Sequence, residues 1–117
     1  MCIGLRSKPR HIHCRTMAQE KIAELVQALT ELLSQAKSEA ELSQVIEMLL
    51  TPSELEGIIQ RWQVMTLLCE GVPQREIMSR LGICLGKVSR GSRLLKYDNP
   101  EFAELLKRIN ASIQKNK

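Results

Sequence analysis

Apolar residues recur every three to four positions along most of this chain. From Ala18 they fall at Ile22, Leu25, Val26, Leu29, Leu32, Leu33 and Ala36, a spacing that predicts a long amphipathic helix. Ser38, with Glu41 three residues on, predicts a capping box for a second helix whose apolar face is Leu42, Val45, Ile46, Leu49 and Leu50. Thr51-Pro52-Ser53-Glu54 predicts a third start, with a Thr cap, proline at the first helical position and an acid in the first turn. The face of this third helix is Leu55, Ile58, Ile59, Trp62, Met65, Leu68 and Cys69, and Gly71 ends it. Short helices follow at about 73–81 and 85–96, separated by Gly82. Asn99-Pro100 caps a last helix with Phe102, Leu105, Leu106, Ile109 and Ile113 on one face. No segment alternates strictly as a strand does. The predicted class is all-α, with about six helices.

The stretch from Gln74 to Arg90 reads as a helix-turn-helix. Ile77 and Leu81 form the inner face of its first helix, and Gly82 supplies a left-handed turn that costs a side-chain-bearing residue about 1 kcal/mol. Ile83 seals the turn, and Val88 packs the second helix back onto the first. Met78 stands where the helix crossing usually takes a small residue. Gly86, Lys87, Ser89, Arg90 and Arg93 are left on the outer side of the second helix. Small and cationic side chains there suit a major groove, with its base edges and flanking phosphates. Two ordinary short core helices would satisfy the apolar spacing too, but not the charge that accompanies it.

That charge is concentrated. Residues 74–96 carry Arg75, Arg80, Lys87, Arg90, Arg93 and Lys96 against Glu76 alone, whereas residues 18–73 carry nine acids and three bases. A basic block in a chain whose net charge is only +4 is the footprint expected of a phosphate-contacting surface, and on charge alone a solvated helix face fits it equally well. The 117 residues fit one domain, and with one Trp, one Tyr and one Phe its core is aliphatic. No apolar run approaches the ~18 residues of a membrane span. Residues 1–16 are basic without an apolar signal region, and are expected to be a disordered arm or an upstream extension of a protein beginning at Met17. Cys2, Cys14, Cys69 and Cys84 lack zinc-ribbon spacing and are expected as reduced thiols in a cytoplasm. His11, His13 and Cys14 could ligate a metal together with Cys2, but no apolar pattern holds them in place, and no metal is expected. No acid/base pair, phosphate loop or base-activated nucleophile points to an enzyme. Long apolar stripes with few aromatics fit burial against a second copy, and a compact monomer nearly as well.

Two patches carry a resemblance. Leu50-Thr51-Pro52 with Glu54 and Arg61 is one. The other is Gln74-Arg75-Glu76 with Leu81-Gly82, Arg90-Gly91-Ser92 and Leu95-Lys96. Together they resemble the tryptophan repressor superfamily of bacterial transcription regulators from about residue 50 to 96, with compatible helices over 18–113. The resemblance implies an all-helical dimer interlocked through its outer helices, over residues 17–117, reading a palindromic operator through a helix-turn-helix at about 73–96. It implies L-tryptophan as corepressor, its indole between Arg61 and Arg90, its ammonium on carbonyls near Met48 and Leu50, with Thr51 touching the ligand and Gly91 leaving room for the ring. Arg75 would then touch phosphate or a guanine edge, Gly86, Lys87 and Ser89 would approach bases, and Arg80, Arg93 and Lys96 would anchor the DNA backbone. Leu94 departs from the pattern, standing where the repressor has a serine, and the Gly71–Gln74 connection is a residue shorter and contains Pro73. Lys87 and Arg93 replace neutral residues. Two alternatives remain: a superfamily regulator without an amino-acid corepressor, or a helical module whose basic block binds an acidic protein or RNA.

Overall fold

The computed structural model describes residues 17–116, so the arm at 1–16 and the Cys2, His11, His13 and Cys14 combination lie outside the described residues. The chain divides after Thr51 into two compact units. All its regular elements among the described residues are helical.

The first unit holds α1 (Met17–Ser34) and α2 (Glu39–Leu49). α1 buries no side chain: Ile22, Leu25, Val26 and Leu29 are 48–59% exposed. α2 begins as its sequence predicts, Ser38 Oγ accepting the Glu41 N–H at 3.1 Å. The return bond is displaced by one residue, since Glu41 Oε1 accepts from the Lys37 N–H at 2.8 Å rather than from Ser38. No glycine ends α2. Leu50 leaves the helix extended, at φ −112° and ψ 144°, with its N–H on the Ile46 carbonyl. Pro52 holds the residue before it out of the helical region.

The second unit holds α3 (Pro52–Cys69), α4 (Gln74–Leu81), α5 (Leu85–Arg93), a π-helical turn (Leu94–Asp98) and α6 (Phe102–Lys115). Its centre is Val64 of α3, Ile77 of α4 and Val88 of α5, ringed by Leu67, Leu68, Val72, Met78, Leu81 and Ile83. The two helix-turn-helix anchors, Ile77 and Val88, are 0% exposed. Met78 fits the crossing as one of the partly buried residues around it. Gly82 lies at φ 64° and ψ 40°, its N–H on the Met78 carbonyl at 2.8 Å, so the left-handed stop is realised.

Three details differ from the sequence reading. First, α3 turns Val64 inward, whereas Ile58 and Ile59 remain 43% and 57% exposed. Packing falls on the second half of α3, where Val64, Leu67 and Leu68 meet the centre, so the earlier apolar residues have less to cover them. Second, the helix expected at 85–96 ends at Arg93 and widens into the π turn, where the Asn99 N–H reaches the Leu94 carbonyl at 2.8 Å. Apolar spacing does not distinguish a four-residue from a five-residue backbone bond. Third, Asn99-Pro100 does not cap α6 directly. The Asn99 carbonyl takes the Phe102 N–H, and the residue in the cap position, Glu101, makes no side-chain bond.

α6 is fastened to α3 by a polar and an aromatic contact. The Trp62 indole N–H donates to Asn110 Oδ1 at 3.0 Å, and Asn110 Nδ2 donates to Thr66 Oγ1 at 3.1 Å. Trp62 and Phe102 meet edge to face, with centroids 6.1 Å apart. Leu106 of α6 is 1% exposed.

Candidate nucleic-acid interface

Helix α5 sorts its residues cleanly. Val88, Gly91 and Ser92 are buried, and Gly86, Lys87, Arg90 and Arg93 are exposed, as helical periodicity requires of a helix docked along one face. Arg75 on α4 and Lys96 in the π turn are exposed too. The docking is close. A Cβ on Gly91 would stand 3.1 Å from Val64 Cγ1 and 3.4 Å from Leu68 Cδ1, so α3 occupies the space a side chain would need. The glycine lets α5 approach α3. Gly86 is different: a Cβ there would meet only Cys84 Sγ, at 3.8 Å.

The polar residues of the interface are held by neighbours that spacing could not reveal. Lys87 Nζ donates to Gln60 Oε1 of α3 at 3.3 Å. Ser89, half-buried, donates its hydroxyl to Gln74 Oε1 of α4 at 3.4 Å. Arg80 is not a free anchor, because its guanidinium grips Glu76 Oε2 through Nη2 at 2.6 Å and Nε at 3.1 Å. Both partners are half-exposed, so this pair contributes about 0–1 kcal/mol and a phosphate can compete with it.

Leu85, the first residue of α5, escaped the sequence reading. It lies three positions before Val88, which suggests an inward side chain, yet it is 50% exposed because the helix only begins there. A leucine on a groove-facing helix can touch a thymine methyl. Cys84 occupies the cap position of α5. The Lys87 backbone N–H holds its thiol below the usual range against a smaller desolvation effect, with help from the Gly86 N–H and the Lys87 charge.

The residues expected at a corepressor lie in both units. Leu50 and Thr51 belong to the first, where Leu50 terminates α2. Arg61, Arg90 and Gly91 belong to the second. Arg61 is exposed and folds back along α3, with Nη2 3.9 Å from where a Gly57 Cβ would stand. Arg90 is exposed and Leu94 is half-buried. Among the described residues no group of three or more His, Cys, Asp or Glu could hold a metal ion, and no helix is long and apolar enough to cross a membrane.

Residues 24–110 match the family described as Trp repressor protein. A Trp operon repressor homolog of Chlamydia caviae is 34% identical over 95 residues, covering 80% of this chain and 94% of the relative. Homologs so named from Pasteurella multocida and Actinobacillus succinogenes are each 35% identical, over 81 and 86 residues. Those matches cover 68% and 72% of this chain, and 79% and 85% of the relatives. No solved structure matches the chain.

Proposed function

The chain belongs to the Trp repressor protein family, and from that premise we propose that it is a transcriptional repressor whose α5 enters the major groove of a palindromic operator. The observation that carries this reading is the sorting of α5: an aliphatic and small face sealed against α3 and α4, and an exposed face bearing Gly86, Lys87, Arg90 and Arg93. Arg75, exposed on α4, adds a phosphate or guanine-edge contact and exposed Lys96 a phosphate contact, and Arg80 joins them when phosphate displaces Glu76. A second copy of the chain completes the unit that reads a palindrome. The bare stripe Ile22, Leu25, Val26 and Leu29 supports this, since an aliphatic face half open to water gains about 25 cal/mol for each Å² it buries.

L-tryptophan is the proposed corepressor. The donors fit it: Arg61 and Arg90 are exposed and make no hydrogen bond or ion pair among the described residues, so both guanidinia are open to an indole face or a carboxylate. Leu50, Thr51 and Gly91 complete the proposed ligand contacts, and Gly91 also lets α5 lie close on α3. A corepressor-free regulator is the second reading. Leu94 favours it, because a half-buried leucine offers the amino acid's polar end no hydroxyl.

Selection of binding sites from random duplexes, with and without L-tryptophan, tests the whole reading. A palindromic consensus that tightens with the amino acid supports it, and indifference to duplex sequence overturns it. Calorimetry isolates the corepressor: heat that vanishes in Arg61→Ala and in Arg90→Ala supports tryptophan, and no heat at millimolar ligand leaves only the second reading.

A further inference from the structure

We propose that Gln60 of α3 is a positioning residue for base readout, fixing the Lys87 ammonium on the reading face of α5 through its side-chain carbonyl. The inference rests on the DNA-binding reading above. Lys87 is the third residue of α5, in the turn that a helix-turn-helix presents to base edges. A lysine free on its four-carbon stem is a point charge suited to phosphate, which carries no sequence information. Here the head is tied, with Nζ 3.3 Å from Gln60 Oε1, a contact made across 27 residues of sequence. Gln60 is half-buried, so its stem is steadied where it leaves α3.

The chemistry of the tie suits readout better than an ion pair would. The carbonyl engages one of three ammonium protons and leaves two to donate. Neighbouring donors match the N7 and O6 acceptors that guanine shows in the major groove. Arg80 gives the contrast. Its partner Glu76 is a carboxylate that offsets its charge, whereas Gln60 orients a cation and leaves the charge intact for DNA.

The test compares the parent chain with Lys87→Ala, Gln60→Met and Gln60→Glu in site selection, followed by affinity measurements across a salt series. Lys87→Ala loses the preference at one position of each half-site. Gln60→Met, which keeps the stem and removes the acceptor, weakens the preference at that same position by about three- to tenfold. Its non-specific affinity, salt slope and thermal midpoint stay at the parent's values. Gln60→Glu restores an acceptor, keeps the preference and lowers the salt slope by about one charge. A Gln60→Met variant that retains the parent's preference where Lys87→Ala has lost it overturns the inference. So does one that weakens every sequence alike while its thermal midpoint falls. Both outcomes leave the DNA-binding reading standing, whereas a parent chain without sequence preference removes that reading and this inference together.

Discussion

Two glycines show why the same residue serves different physics at different places. Gly82 has φ 64° and nothing within 4 Å of its Cβ position, so Gly82→Ala costs backbone strain alone, about 1 kcal/mol. Gly91 has ordinary helical backbone, and alanine there gains about 1 kcal/mol of helix propensity. Against this, the new methyl stands 3.1 Å from a Val64 side chain that is itself only 3% exposed and cannot move aside, a conflict of about 1–3 kcal/mol. Denaturant titration of Gly91→Ala should therefore show a net loss of stability. In a Val64→Ala background, itself destabilised, Gly91→Ala should cost less than it does in the parent, giving a non-additive cycle, and strictly additive effects would contradict the close approach. At the surface, Glu76→Gln should raise affinity for all duplexes alike by releasing Arg80, read as a steeper fall of log affinity with log salt. The lowered Cys84 thiol makes a separate prediction. Its thiolate forms at lower pH, so peptide mapping should find Cys84 alkylated ahead of half-buried Cys69, with a midpoint below the ordinary 9.0.

At the scale of elements, most caps and stops, though not the one expected at Asn99-Pro100, were legible in the sequence because each is a local chemical event. Ser38, Pro52, Gly71 and Gly82 act on groups within four residues, so their types and spacing suffice. Ser38→Ala should accordingly lower stability by about 1 kcal/mol, measured as a shift of the unfolding midpoint. The two helix-turn-helix anchors were legible for a related reason, since Ile77 and Val88 sit in a motif whose turn fixes how they meet. What spacing could not reach was partnership across distance. It gave no sign that Val64 rather than Ile58 would be covered, that Gln60 would meet Lys87, or that Asn110 would join Trp62 to Thr66. The charges of the candidate interface were thus legible in the sequence and its tethers were not, as Arg80 shows. The widened turn at Leu94–Asp98 was invisible because Leu94 and Leu95 suit either register.

At the scale of the whole molecule, the exposed stripe of α1 and the basic block of residues 74–96 predict behaviour that no isolated residue would. If the stripe meets a second copy, thermal stability rises with protein concentration. Leu25→Lys with Leu29→Lys should then leave a monomer by sedimentation and weaken operator binding more than half-site binding. A parent chain that sediments as a monomer at micromolar concentration would contradict this. The sequence contains one tryptophan, and its indole is already engaged, N–H on Asn110 and edge on Phe102. The molecule therefore carries a built-in optical gauge: the colour of its ultraviolet emission registers whether α6 is seated on α3. A red shift arriving before helicity is lost would reveal α6 lifting away first, without any label being attached.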